Sequence, residues 1–119
     1  MSYIQGFVAA VPEANKQAYI DHAKAAWPFF RDLGATQMLE CWEADVPEGE
    51  VTSFSMAVKR KDDEKVIFSW IVWPSREAHD TAWQKMMSDP DMSENMGEMP
   101  FDGKRMIFGG FDPVVECRA

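Results

Sequence analysis

Lys65-Val66-Ile67-Phe68-Ser69-Trp70-Ile71-Val72-Trp73 is interrupted by one polar residue after its opening lysine. A nearly continuous apolar run of this length, rich in β-branched and aromatic residues, reads as a strand buried on both faces. Such a strand needs neighbours and a cover, and the flanking sequence supplies both. Downstream, Ser75 caps a helix with Glu77 in its first turn, and Ala78, Ala82, Trp83 and Met86 form its inner stripe until Asp89-Pro90 breaks it. Residues 91–97 hold at most one loose turn, Met99-Pro100-Phe101-Asp102-Gly103 reads as a turn, and residues 104–111 form a last strand.

Upstream the pattern repeats in mirror order. Residues 3–11 alternate as a first strand, ended by Pro12. Ala18, Tyr19, Ala23, Ala26, Phe29, Phe30 and Leu33 form one helical stripe over residues 13–33, with Gly34 as its left-handed stop. Pro28 cannot donate to the Lys24 carbonyl, which predicts a kink or a 3₁₀ step inside that helix. Residues 35–45 make a second strand, closed by Val46-Pro47-Glu48-Gly49. Residues 52–60 fit either period, and a short helix capped by Thr52 or Ser53 is the preferred reading over a strand. The order β-α-β-insert-β-α-β predicts an α+β, ferredoxin-like fold: a four-stranded antiparallel sheet with two helices on one face. At 119 residues, positions 1–119 are expected to form a single domain.

Bulk composition narrows the function. The formal charge is −8, and the only basic cluster, Lys59-Arg60-Lys61, is followed at once by Asp62-Asp63-Glu64. Polyanionic partners, nucleic acid and anionic membrane included, are therefore disfavoured. No apolar run approaches the roughly 18 residues of a membrane span, and the first residues lack a secretory pattern, so the expected address is cytoplasmic. Cys41 and Cys117 are far apart and form no CxxC; His22 and His79 lie on different helices without a second ligand at metal spacing. No metal and no cofactor are expected. Both histidines read as packing residues, Cys41 as a small hydrophobe under the helices, and Cys117 as a free thiol. Met92, Met96 and Met99 read as filler or as an adaptable lid.

Alternation splits every strand into two sets. One set, Ile4, Gly6 and Val8 with Leu39, Cys41, Ile67, Ser69, Ile71, Ile107 and Gly109, is small or aliphatic and suits the face under the helices. The other contains Tyr3, Gln5, Phe7, Glu40, Trp42, Phe68, Trp70 and Phe108. An aromatic face of that size calls for a cover, and a second copy of the chain supplies one. The expectation is a homodimer with an aromatic-walled pocket between the two sheets, lined by Tyr3, Gln5, Phe7, Trp42, Phe68, Trp70 and Phe108. Glu40 points into it, either paired to Lys104 or Arg105 as a structural ion pair or free for a ligand.

Tyr3-Ile4-Gln5-Gly6-Phe7-Val8, Glu40-Cys41-Trp42, Phe68-Ser69-Trp70-Ile71, Trp73-Pro74-Ser75, Lys85-Met86-Met87 and, above all, Met99-Pro100-Phe101-Asp102-Gly103-Lys104-Arg105-Met106-Ile107 resemble the YbaA-like family of bacterial proteins of unknown function. The resemblance runs over almost the whole chain and implies the dimeric α/β-barrel version of the ferredoxin-like fold. The wider superfamily contains cofactor-independent monooxygenases, haem-degrading proteins and simple binders, and none of their catalytic sets transfers here residue by residue. The resulting expectation is a dimer that binds a small organic molecule. If it is an enzyme, an oxygenase-like or isomerase-like reaction uses Glu40 as acid or base and Arg105 or Lys104 as its electrostatic partner, and Asp102 positions the last strand. The rival is a structural or protein-interaction module without catalysis, and RNA association is a third reading.

Overall fold

The computed structural model describes residues 2–89 and 99–119. The expected turn over residues 91–97, with Met92 and Met96, lies outside the described residues. Strand β3 (Glu64–Trp73) takes the inner position that its apolar sequence requires, between β1 (Tyr3–Pro12) and β2 (Gln37–Trp42). Strand β4 (Ile107–Phe111) flanks β1 on its other side, so the order is β2-β3-β1-β4 with all pairings antiparallel. Helices α1 (Lys16–Asp32) and α3 (Arg76–Ser88) pack on one face of this open sheet. This is the ferredoxin-like α+β arrangement read from the sequence.

The ambiguous stretch resolves as a helix. Ser53 Oγ accepts the Met56 N–H at 3.0 Å and starts the single turn α2 (Phe54–Ala57). Val58, just beyond it, is buried with Val8, Ala10 and Val66, so the insert covers one end of the face opposite α1 and α3. Gly34 ends α1 as expected. At φ +116° it donates to the Arg31 carbonyl while Ala35 N–H reaches back to Phe30, which satisfies the last carbonyls of the helix.

Three sequence expectations are corrected. Of the kink or 3₁₀ step expected at Pro28, the 3₁₀ step is absent, since α1 is continuous α-helix through it; Pro28 and Lys24 are both exposed, so water can serve the carbonyl that the ring leaves unbonded. β4 begins at Ile107, because Lys104 and Arg105 belong to a 3₁₀ turn, Gly103–Arg105, opened by the Asp102 carboxylate accepting the Lys104 N–H at 3.0 Å.

The third correction concerns the two faces. Residues directly opposite one another across antiparallel strands share a face. Gln5 and Met38 both pair with Ile71, Phe7 and Glu40 both pair with Ser69, Trp42 pairs with Ile67, and Phe7 pairs with Phe108. Gly6 and Leu39 instead pair with Trp70, and Val8 and Cys41 with Phe68. Thus Tyr3, Gln5, Phe7, Glu40, Trp42 and Phe108 lie on the side of α1 and α3, away from Phe68 and Trp70. Alternation is right within each strand; size was the wrong guide for matching one strand's set to the next. The face under the helices takes the large residues, with Trp73 wholly buried beside Tyr3, Ile71, Ala35 and Ala82.

Candidate functional site

Between α1, α3 and the sheet lies a cavity of about 320 Å³. Its roof comes from the inner stripe of α1, where Tyr19, His22, Ala23, Ala26, Phe29 and Phe30 recur at helical spacing. Trp83, Met86 and Met87 of α3 form one side, and Met99, Phe101 and Met106 close another. The alanines make the space: Ala26 is buried, yet its methyl leaves a hollow that the flanking phenylalanines do not fill. Met99, read from the sequence as filler or lid, joins Met86, Met87 and Met106 as an adaptable wall.

The floor is where polar groups converge. Glu40 projects from β2, an edge strand, and pairs in register with Ser69 of β3. Tyr19 Oη donates to Glu40 Oε2. A buried tyrosine needs a partner for its hydroxyl, and Glu40 supplies it. Gln5, itself buried, accepts from Trp73 Nε1 at 3.2 Å through its carbonyl oxygen. That leaves the N–H donors of its amide without a protein acceptor among the described residues.

Glu40 keeps a substantial accessible area because the cavity reaches it, while protein crowds it from α1 and β3. Burial therefore raises its carboxyl above the ordinary value of 4.5, against hydrogen bonds from Tyr19 and Ser69 and the charge of His22, which favour the carboxylate. Tyr19 is pushed far above the ordinary phenol value, first by burial and then by the Glu40 charge. At neutral pH the phenol therefore keeps its proton and donates a hydrogen bond to Glu40. A carboxyl with a raised value in the folded state stabilises the fold most below about pH 4.5, and that contribution is lost as pH rises through the folded value. Glu40→Gln keeps an oxygen for Tyr19 and removes the titration. The variant is expected to melt no lower than the wild type at about pH 8, with the difference shrinking on acidification. A thermal melt across pH checks this, and a variant clearly less stable at alkaline pH would contradict it.

Arg105 and Lys104 are not at this floor, which corrects the expected pairing with Glu40. Arg105 is held by Glu64, at 2.8 and 2.6 Å, by Asp102 at 3.0 Å and by the Lys59 carbonyl at 2.8 Å. Lys104 is exposed in the preceding turn. Asp102 opens that turn and accepts from Arg105 Nε, just before β4. Phe68 and Trp70 stand on the opposite face, edge-to-face with a centroid distance of 5.6 Å. Cys41, expected under the helices, is also on that opposite side, paired with Phe68. His79 packs against Tyr3, Trp73 and Trp83 and contacts Asp80 at 2.8 Å, away from the cavity lining. Among the described residues no group of three His, Cys, Asp or Glu could hold a metal ion, and no helix is long and apolar enough to cross a membrane.

Tyr19, His22 and Ser69 were absent from the sequence-derived pocket. Tyr19 was visible as the one hydroxyl on an otherwise apolar stripe, and Ser69 as the one polar residue in the central run. Only the register of β2 against β3 joins them to Glu40.

A model of a family described as a protein of unknown function, DUF1428, matches residues 2–103. The uncharacterized protein YbaA of Escherichia coli strain K12 is 54% identical over 116 residues, covering 98% of this chain and 99% of the relative. YbaA of Shigella flexneri matches to the same extent. Among solved structures, SnoaB, a cofactor-independent oxygenase from Streptomyces nogalater, superposes with a TM-score of 0.60 at 14% identity, covering 97% of this chain and 95% of that one. A dimeric ferredoxin-like protein from an uncultured marine organism gives a TM-score of 0.55 at 11% identity over 100% of both chains. At such identities these two likenesses concern the fold alone.

Proposed function

The chain belongs to the DUF1428 family, whose function is unknown, and from its own geometry we propose that it binds a small, mainly apolar organic molecule as a homodimer. The observation that carries this reading is the cavity under α1 and α3. Its walls are almost wholly apolar, and its polar groups are gathered at one end as Glu40, Tyr19 and Ser69, with the free amide edge of Gln5 nearby. Apolar walls with a few converging polar groups are the usual form of a small-molecule site. The chemistry that fits it is proton transfer at Glu40, because burial moves this carboxyl towards the range in which an acid or base works near neutrality. Arg105 and Lys104 have no part in it.

The dimer reading rests on the other face. Leu39, Phe68, Ile107 and Phe111 are all exposed there, and Trp70 is half-buried. A contiguous apolar face of this kind is a partner surface, and one of the structural neighbours above is dimeric. On this reading the pocket lies within each subunit, beneath its helices, and the sheet-to-sheet contact assembles the dimer.

The test is native mass spectrometry of the protein purified from its own host, followed by solvent extraction of whatever it carries. A small molecule retained by the wild type and absent from Ala23→Phe is the expected result. Ala23 lines the cavity and is only half-buried, so the larger ring occupies ligand space without rupturing the core. Should both proteins come through bare, and no aromatic probe raise the melting temperature of the wild type, the cavity would be packing space only.

A further inference from the structure

A second cavity, of about 470 Å³, lies on the outer side of the Tyr19–Glu40 pair, where α1 overhangs the edge strand β2. It shares Tyr19, Ala23, Met38 and Glu40 with the first, so the pair stands as a partition between two adjoining chambers. Their linings differ in kind. Among the described residues the inner chamber carries no lysine or arginine; the outer one is lined by Lys16 and Lys24, two turns apart on α1, together with Trp27 and Trp42. Lys16 Nζ lies 5.3 Å from the centre of the Trp42 ring, and neither lysine has a carboxylate partner among the described residues. Glu40 is the single acidic residue of the outer lining among the described residues. In a chain of formal charge −8, a chamber with two lysines against one glutamate is a local reversal of sign.

Resting on the cavity reading above, we propose that the two chambers form one site for an amphipathic organic anion. Its aromatic or alicyclic body packs under α1 and α3, and its carboxylate faces Lys16 and Lys24. The rings of Trp27 and Trp42 line the outer chamber beside the lysines, and Lys16 is held over the Trp42 ring. Tyr19 and Glu40 then meet the ligand at its middle, next to the carbon atoms closest to the charged group. The Glu40 carboxyl opposes the incoming anion less than a surface glutamate would, because its own charge is disfavoured where it stands.

Isothermal titration of the full-length protein with 2-naphthoate and with naphthalene-2-carboxamide, its neutral isostere, separates charge from shape. The anion is expected to bind more tightly, by up to about fivefold for each lysine engaged. That advantage should fade at high salt and vanish in Lys16→Met/Lys24→Met. Both lysines are exposed on a helix and methionine is a good helix former, so the double variant keeps the fold, which carboxamide binding checks directly. Equal or better binding of the carboxamide, or naphthoate binding unmoved by the double substitution, overturns the charge preference and leaves the cavity reading standing. Tighter binding of a naphthyl trimethylammonium overturns it in favour of a cationic ligand held by the tryptophans. Failure of all three probes to bind removes both readings together.

Discussion

Arg105→Met is expected to cost about 2–4 kcal/mol of folding stability, the largest loss from any single polar substitution proposed here. The guanidinium joins three separate segments. It forms a two-pronged pair with Glu64 at the start of β3, donates through Nε to Asp102 at the head of the 3₁₀ turn, and donates to the carbonyl of Lys59 in the loop after α2. Lys59 itself adopts φ +50°, a left-handed conformation that favours glycine, and the Arg105 contact helps to hold it there. Only 4% of the Glu64 side chain and 15% of the Arg105 side chain are exposed, so removing the cation strands a carboxylate whose remaining donor is the Lys61 N–H at 2.7 Å. The pair is close to the surface, which puts the loss below the top of the range for buried pairs. Urea denaturation of the wild type, Arg105→Met and Arg105→Met/Glu64→Gln measures it. The double variant should recover part of the loss, because no uncompensated charge remains. A single variant within about 0.5 kcal/mol of the wild type would show the network to be incidental.

The same network sets the acid limb of stability. Hydrogen bonding from Arg105 holds the Glu64 carboxyl below its ordinary value of 4.5, outweighing the effect of burial. A lowered value stabilises the fold above the ordinary range and loses that contribution as pH falls through the folded value. Glu64 and Glu40 therefore act in opposite senses. Acidification weakens the first contribution and strengthens the second, and Arg105→Met should flatten the loss of stability below about pH 4.5.

Phe68→Glu is expected to dissociate the proposed dimer, raising its dissociation constant by at least about a hundredfold. Phe68 stands at the centre of the open face, ring-to-ring with Trp70 at 5.6 Å and with Phe54 of α2 at 6.1 Å, and 43% of it is exposed. A two-fold interface receives each substitution twice, and each removes roughly 1.5–3 kcal/mol of apolar burial before the cost of desolvating a carboxylate is counted. The side chain already touches water in the single subunit, so the monomer is expected to remain folded. Light scattering after size exclusion, with circular dichroism beside it, distinguishes a folded monomer from an unfolded chain. An unchanged dimer would place the contact elsewhere. Because Phe68 is on the face away from Glu40, ligand binding should survive in the monomer. A ligand site built between two sheets would be lost with the dimer.

The elements were legible from local physics: the apolar run of 66–73, Ser75 as a cap, Thr52 or Ser53 as the cap of the preferred short helix, Gly34 as a stop, and alternation within each strand. Each depends on a few neighbouring residues and on backbone geometry that does not change with context. The family was legible too, because its quoted motifs extend over nearly the whole chain. Tertiary structure alone decided which set of one strand shares a face with which set of the next, since a register shift of one residue exchanges the faces and nothing local records it. That choice carries Gln5, Phe7 and Glu40 under the helices and leaves Phe68 and Trp70 outside. It also sends Arg105 to Glu64 rather than to Glu40. Charge complementarity can name the possible partners of an arginine, but only the packed chain selects among carboxylates so far apart in sequence. The residues of the candidate site were all in view from the start; their proximity was not, because Tyr19, Glu40 and Ser69 meet only when a helix, an edge strand and a central strand are stacked.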